Sequence, residues 1–289
     1  MKFSIIIPVY NEEGSMEEII AGIKKIRSRL KGDSEIIVVN DGSTDNSLKI
    51  LRRMKGIRLI SHEANFGYGK ALKTGINNSQ GEWIVIIDAD GSYPVGDICT
   101  LAEYAGSYDM VVGSRTGKKV EIPLFRRPAK WFLNKLANYI SNYNIPDLNS
   151  GLRIFRKDIA IKFWGLFPDN FSFTATITVA SLCYGYNVKF IPINYYKRKG
   201  KSSMKPSNFF GFISLIMKMS LFFRPLKIFI PTSIILFVLG ILRSLRDFIV
   251  NNSIGDLAVI ILLSSLYIFF FGLLAELIVK RTDIHMNIK

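Results

Sequence analysis

Residues 228–242 and 257–275 are apolar runs of 15 and 19 residues with no charged side chain inside them. In hydrocarbon every backbone N–H and C=O must be satisfied within its own segment, so a run that enters a bilayer has essentially one outcome, an α-helix. The second run approaches the ~20 residues that cross a bilayer. The first makes only about 22 Å of helix at 1.5 Å per residue, so Lys227 and Arg243 are expected to reach the headgroups from its ends. Two such runs in succession predict a helical hairpin, which a helical pair buried in a soluble protein would not require. Arg224, Lys227, Lys280, Arg281 and Lys289 lie at its outer ends and only Arg243 and Arg246 at its tip, a bias that puts both ends on the cytosolic side. Exposed hairpin faces could also pair between copies as a homo-oligomer.

Upstream the pattern changes. β-Branched runs at residues 3–9, 35–40, 57–61, 83–88 and 110–113 alternate with helical stretches at 17–30, 45–54, 69–78 and 97–104. Strand alternating with helix is the signature of an α/β domain on a mainly parallel sheet, whose strands read as continuous apolar runs because both faces are covered. The apolar start of residues 1–9 is too short for a signal peptide and leads directly into a turn, so this domain is expected in the cytosol. The predicted organisation is a domain over 1–206, an amphipathic interfacial helix over 207–223 with Ser207, Gly211, Ser214 and Lys218 on one stripe, and a membrane hairpin over 224–289. Its spans fall at about 226–249 and 257–279, with a short cytosolic tail.

Ligands of open α/β sheets bind outside the carboxyl ends of the strands, and here those ends are polar: Tyr10-Asn11-Glu12, Asn40-Asp41-Gly42-Ser43, Asp88-Ala89-Asp90 and Ser114-Arg115. Two carboxylates two residues apart repel one another unless a hard cation lies between them. Mg²⁺ or Mn²⁺ would take oxygens from Asp88 and Asp90 and complete its shell with water and phosphate; the plainer alternative is a solvated turn. Asp41 could accept from the N–H groups of a nucleobase, while Ser43 or Thr44 could cap a helix beginning near Asp45. Cys99 and Cys183 suggest neither a disulfide framework nor a zinc site, and His62 and His285 are too isolated for a metal or triad.

The formal charge of +15 attracts anions. Seven basic residues against one acid lie between Arg115 and Lys135, and five with no acid between Tyr195 and Lys205. They suit a cleft for phosphates, a membrane surface, or both. Nucleic-acid binding would explain the charge and leave the hairpin without a purpose. The segment 131–143 sets Trp131, Phe132, Leu136, Tyr139 and Ile140 against Lys130, Asn134, Lys135, Asn138 and Asn142, the pattern of a second interfacial helix.

Residues 6–13 (IIPVYNEE), 38–45 (VVNDGSTD), Asn65-Phe66-Gly67 with Gly69-Lys70-Ala71, and Ile87-Asp88-Ala89-Asp90, in this order and spacing, resemble the family 2 glycosyltransferases of the GT-A fold. Residues 147–153 (DLNSGLR) and 198–202 (RKGKS) are similar to the branch that uses polyprenyl phosphates, such as dolichyl-phosphate mannose synthases and bactoprenol glucosyltransferases. The resemblance implies a nucleotide-sugar donor, UDP- or GDP-linked, held by Pro8, Tyr10, Glu12, Asp41, Lys70, Asp88, Ala89 and Asp90. It also implies an acceptor phosphate on Arg115 and on Arg127 or Arg126, with Arg198 and Lys205 as lesser candidates. Many lipid-phosphate members carry Gln two positions after the second aspartate, often as a metal ligand; here Ser92 or a water would take that place.

A lipid phosphate is largely ionised at neutral pH, having a second pKa near 6, so its oxygen can attack without a general base. A hydroxyl acceptor would need one, for which Asp147 is the candidate; Asp147 could otherwise bind a hydroxyl of the donor sugar. The expected enzyme is therefore an inverting, metal-dependent transferase, with Asp90, Asp147, Arg115 and Arg127 closest to the chemistry, moving one sugar onto a polyprenyl phosphate at the cytosolic membrane face. The alternatives are a membrane glycosyltransferase with a hydroxyl acceptor, such as a polysaccharide synthase, and a non-catalytic membrane-anchored subunit that binds nucleotide sugars. The absence of a Q-x-x-R-W signature and the small hairpin count against the synthase, and the intact Asp88 and Asp90 against the silent subunit.

Overall fold

β1 (Phe3–Val9) is buried along its whole length because it pairs in parallel on both sides, with β2 (Ser34–Asp41) and with β4 (Trp83–Ile86). That double cover is why its sequence is an apolar run rather than an alternation. The computed structural model describes residues 1–30, 32–120, 127–169, 172–198 and 208–287, and within its helices leaves aside the side chains of 127–130, 208–213, 215–216 and 282–287. Among these residues the sheet has seven strands in the order β3-β2-β1-β4-β6-β5-β7. The remaining strands are β3 (Arg58–His62), β5 (Met110–Ser114), β6 (Arg153–Arg156) and β7 (Val188–Pro192).

From β1 the chain steps outward through α1 (Met16–Ile26), β2 and α2 (Ser47–Leu51) to β3. It then returns through α3 (Tyr68–Asn77) to β4 on the other side of β1. This reversal opens a crevice between the ends of β1 and β4. Pro8 marks where it begins. The Ile6 carbonyl still accepts from Ile87 N–H, but the β1–β4 ladder ends at Ile6 opposite Ile86. The N–H that Pro8 lacks would point to the side where β4 has stopped, so the proline leaves no ladder bond unmade.

Among the described residues β6 is the one antiparallel strand of the sheet, lying between β4 and β5. Because it runs backward, it starts beside the end of β4, with Arg153 opposite Ile86. The turn before it, Asp147 to Gly151, is thereby delivered to the crevice. After α4 (Asp97–Ala102), α5 (Arg127–Ser141) buries Leu133, Ala137 and Ile140 and leaves Trp131, Phe132 and Tyr139 exposed. The apolar face expected there is divided, its aliphatic part packed inward and its aromatic part outward. α6 (Lys157–Lys162) and α7 (Phe173–Cys183), which is buried from Phe173 to Leu182 with Thr174, Thr176, Thr178 and Ser181 among its apolar residues, complete the layer behind β6.

The chain divides into two units, Met1–Leu215 and Ile216–Lys289. α8 (Asn208–Phe223) spans the boundary; of the polar stripe expected on it, Ser214 and Lys218 are exposed, and the rest lies outside the described side chains. In the second unit α9 (Leu226–Asn251) and α10 (Asp256–Asn287) form the hairpin. Leu226–Asn251 and Asp256–Arg281 are each long and apolar enough to cross a membrane. Glycines let the two helices approach: a Cβ on Gly240 would lie 2.7 Å from Leu262 and one on Gly272 2.5 Å from Phe229. Arg243 pairs with the buried Asp247 one turn on, Nε to Oδ2 at 3.1 Å, which gives this cation a partner within the helix.

α3 lies across β1 through Gly75, where a Cβ would come 2.5 Å from Ile6 Cγ2, at the centre of the sheet. Replacement Gly75→Val should overpack this contact at a cost of about 1–3 kcal/mol. A fall of roughly 3–10 °C in the melting temperature of the detergent-solubilised chain is expected, measured by thermal unfolding at fixed pH and salt.

Candidate active site

The loops after β1 and β2 hold each other. Asn11, in the left-handed region at φ 56°, accepts from Thr44 N–H at 2.8 Å, and Ser43 Oγ accepts from Asn11 N–H at 3.1 Å. Ser47 Oγ accepts from Glu12 N–H, and Glu13 accepts from both Asn46 nitrogens. The capping role expected of Ser43 or Thr44 is therefore not the one they play. The helix begins later, at Ser47, with Asp45 Oδ1 accepting from Ser47 N–H, and the two hydroxyl residues reach across to Asn11 instead.

Asp41, buried at the end of β2, accepts from His62 Nδ1 at 2.7 Å, Phe66 N–H at 3.0 Å and Gly67 N–H at 2.8 Å. His62 is held from its other nitrogen by Thr74 Oγ1 at 3.0 Å. Three of the four acceptor directions of this carboxylate are thus used by the chain itself, and its first task is to shape the loop after β3. Gly42 adjoins that loop at φ 65°, where a Cβ would stand 2.6 Å from Asn65 N. Lys70, third in α3, is exposed, and Tyr10 is half-buried at the end of β1.

Acidic groups crowd the crevice. Tyr68 donates its hydroxyl to Asp88 Oδ1 at 2.8 Å. The backbone of Gly151 presses on the same carboxylate, since a Cβ there would lie 2.7 Å from Asp88 Cγ. The Ala89 carbonyl between the two aspartates accepts from Ser15 Oγ at 2.8 Å. Ser92 is fully buried and donates both N–H (3.0 Å) and Oγ–H (2.5 Å) to Asp90 Oδ1. The position expected to serve as a metal ligand thus sits behind the second aspartate and orients it.

Arg198 lies over this group, paired with Glu12 and with its Nε 3.6 Å from Asp90 Oδ2. Burial raises the Glu12 carboxyl to about 7 against the pull of Arg198, with Asp90 and Asp88 pushing the same way as burial. Burial and then Asp90 raise Asp88 to about 6, while Tyr68, Arg198 and Arg115 oppose them. Among the described residues Arg198 is the guanidinium paired with these three carboxylates, since Arg115 is taken up by Asp147. Glu12 Oε2 is buried with no hydrogen-bond partner among the described residues. Among the described residues no three His, Cys, Asp or Glu side chains form a closed metal cage. What they form is an incomplete oxygen set with surplus negative charge, which suits a hard dication that draws its other ligands from phosphate and water. Asp88 and Asp90 are the two carboxylates that would hold such an ion, and an oxygen set leaves Mg²⁺ and Mn²⁺ both admissible.

On the β5–β6 side, Asp147 is completely buried and takes Arg115 N–H at 3.0 Å, Nε at 2.6 Å and Nη2 at 2.8 Å. An aspartate bound on both oxygens by one guanidinium is a poor proton acceptor, which removes the ground for treating Asp147 as a base. Arg115 also stands 5.1 Å from the centroid of Tyr195. Arg126 and Lys205 lie outside the described residues; Arg127 opens α5, but its side chain lies outside them too. Arg198, expected beside the acceptor phosphate, is at the acidic cluster.

Sequence reasoning assigned no role to Tyr68, Tyr93 or Arg153. Tyr93 accepts from Gly151 N–H at 2.6 Å. Arg153 is fully buried and donates to the carbonyls of Ser150 and Thr174 and to Thr178 Oγ1; burial pushes its guanidinium down to about 10. A charge at the head of an apolar segment, in Arg153-Ile154-Phe155, was the available signal.

The glycosyl transferase family 2 model matches residues 4–164, and a model described as the GtrB C-terminal hairpin matches residues 224–280. A dolichyl-phosphate hexose transferase of Haloferax volcanii is 28% identical over 206 residues, covering 70% of this chain and 86% of that protein. A dodecaprenyl-phosphate galacturonate synthase of Rhizobium johnstonii is 27% identical over 301 residues, covering 97% and 88%. The undecaprenyl-phosphate 4-deoxy-4-formamido-L-arabinose transferase of Proteus mirabilis is 31% identical, but the match spans only half of that protein and 55% of this one. Among solved structures, glucosyl-3-phosphoglycerate synthase from Mycobacterium tuberculosis in complex with UDP shares the fold, with a TM-score of 0.58 at 16% identity over 75% of this chain and 79% of that one. With its mixed, mostly parallel sheet of GT-A type and more than half of its length matched by the family model, the chain belongs to glycosyl transferase family 2 and is a glycosyltransferase.

Proposed function

We propose that this enzyme transfers one sugar from a UDP- or GDP-sugar to a polyprenyl phosphate, dolichyl or undecaprenyl in type, with inversion and with Mg²⁺ or Mn²⁺ held by Asp88 and Asp90. The observation that carries the reading is the uncompensated acid of Glu12, Asp88 and Asp90 at the crevice where the sheet reverses. A phosphate-binding site that is itself negative makes sense only with a cation as the link. The acceptor rests on three relatives named for polyprenyl phosphates, on the matched hairpin and on the exposed aromatic side of α5, which suits a headgroup layer. The positive charge at the outer ends of the hairpin supports a cytosolic active site.

The divalent ion would neutralise charge on the donor diphosphate as the leaving group departs. The chain's own part is preorganisation. Tyr68 and Gly151 fix Asp88, Ser92 fixes Asp90, and Asp41 fixes the loop after β3. Asp147 locks Arg115 as a permanent cation at the strand edge, where fixed charge lowers the barrier without reorganising. An acceptor phosphate arrives ionised and needs no proton removed, which agrees with Asp147 being tied up. That same pairing weighs against a hydroxyl acceptor. Activated donor and ionised acceptor then react by one in-line displacement, inverting the anomeric centre.

Membranes containing the chain, given labelled UDP- or GDP-sugar and a short polyprenyl phosphate, should release nucleoside diphosphate and form a lipid-linked sugar of inverted configuration. EDTA should stop turnover, Mg²⁺ or Mn²⁺ should restore it, and Asp90→Ala should lower it by at least about a hundredfold. Turnover that persists under EDTA and in Asp90→Ala would overturn the metal assignment. Removing the hydroxyl in Tyr68→Phe takes away a bond that favours ionised Asp88, so the acid limb of the pH–rate profile should move upward by roughly one unit.

Stability should respond as well. Glu12 and Asp88 hold protons more tightly folded than unfolded, where their ordinary values are 4.5 and 3.8. Their contribution is therefore complete below about pH 4 and is lost as pH rises through 6 to 7. The cation-free chain should melt progressively lower from pH 5 to 7.5, less steeply in Glu12→Gln, and Mn²⁺ should raise the melting temperature more at pH 7.5 than at pH 5.

A further inference from the structure

Tyr195 stands where three loops of the crevice rim meet. β7 lies at the edge of the sheet, three places from β4, yet the chain leaving it runs back across the rim. Tyr195 N–H donates to the Lys119 carbonyl, beyond β5, at 2.8 Å, and Tyr196 N–H donates to the Ser92 carbonyl, beyond β4, at 2.9 Å. Val120 and Tyr195 add an isolated parallel bridge. The backbone thus pins this residue between the loops that carry Arg115 and Asp90, and whatever its side chain touches is held with little freedom.

That side chain reaches both halves of the site. Arg115 Cζ lies 5.1 Å from the centroid of the ring, a contact that adds to the grip of Asp147 on Nε and Nη2. The ring also meets Tyr93 edge-on, with centroids 5.1 Å apart, and Tyr93 accepts from the N–H of Gly151, the glycine that lies against Asp88. The Tyr195 hydroxyl bonds to the side chain of Ser92. Ser92 has one hydroxyl hydrogen and gives it to Asp90 Oδ1, so Tyr195 is the donor in this bond. A continuous line runs from Arg115 through Tyr195 and Ser92 to Asp90. Packing alone would be served by an apolar ring, without a hydroxyl aimed at the serine behind a carboxylate.

We propose that Tyr195 is a positioning residue that sets the separation between Arg115, the cation for the acceptor phosphate, and Asp90, a carboxylate that holds the divalent ion. This rests on the reading given above of Arg115, Asp88 and Asp90. Both substrates bring negative charge into one crevice, and their repulsion pushes the groups that hold them apart. Reacting atoms must come within about 3–3.5 Å of one another, and a misplacement of about 1 Å can cost a hundredfold in rate. One rigid side chain that touches Arg115 through its ring and Asp90 through Ser92 ties both holders to a single reference. Tyr195 does this without touching either substrate.

The test uses the full chain in nanodiscs, with Mn²⁺ and farnesyl phosphate titrated separately as probes. Tyr195→Phe keeps the ring and loses the hydroxyl. Its Mn²⁺ affinity should fall about three- to tenfold, less than the 10–100-fold typical of a ligand's direct partner, while farnesyl phosphate binds as before. In a Ser92→Ala background the same replacement should change Mn²⁺ affinity by less than about twofold, because the hydroxyl acts through that serine. Tyr195→Leu loses the ring as well and should weaken farnesyl phosphate binding about three- to fivefold; Tyr195→Met takes its place if the leucine variant melts early. Unaltered Mn²⁺ affinity in Tyr195→Phe overturns the proposal, and so does an equal loss with and without Ser92. Farnesyl phosphate bound equally well without the ring overturns the link to Arg115. An unmodified chain that binds no Mn²⁺ overturns the metal reading instead, and one that binds no farnesyl phosphate overturns the acceptor reading.

Discussion

Electrostatic repulsion among Glu12, Asp88 and Asp90 is the constraint around which the rest of the first unit is arranged. Among the described residues three carboxylates share a buried crevice with the guanidinium of Arg198, and left to themselves they would move apart or take up protons. The surrounding chain prevents the first: a tyrosine hydroxyl and a glycine backbone hold one aspartate, a serine holds the other, and the zipped loops after β1 and β2 hold the glutamate. The energetic tension is retained in the folded site, where burial and mutual repulsion raise the carboxyls of Glu12 and Asp88. In this respect the site follows the general rule that binding groups are kept where an isolated folding problem would not have put them.

A second, quieter pattern is the use of charged residues as internal braces. Asp41 organises a loop through two main-chain N–H groups, Asp147 immobilises Arg115, and Arg153 joins the turn at Ser150 to α7 through Thr174 and Thr178. Each is buried and each faces the crevice side of the sheet rather than its far end. A buried group of this kind is costly unless its bonds are complete, which ties the precision of the site to the integrity of the packing behind it.

The first five strands were legible because a parallel sheet covered on both faces demands unbroken apolar runs, and residues 3–9 and 83–86 have little else. The hairpin was legible for a related reason, since lipid admits no charged interruption. β6 was not: Arg153 to Arg156 is four residues with a charge at each end, and its place between β4 and β5 depends on partners tens of residues away. The same distance hid the chemistry of Asp147, whose carboxylate is defined by Arg115, 32 positions earlier. Spacing along the chain located Asp88 and Asp90 but could not reveal that Ser92 points at Asp90, because direction is a property of the turn and not of the composition.

The reversed strand has an evolutionary consequence. β5 ends and β6 begins on one rim of the sheet, so residues 115–152 leave and re-enter the domain at the same place. Such an excursion can be lengthened, shortened or exchanged among descendants without altering the register of any strand, provided that the Arg115–Asp147 pair still closes its base. The segment is thereby tied to the sheet at one rim, so a change in the length of its loops falls outside the strand register.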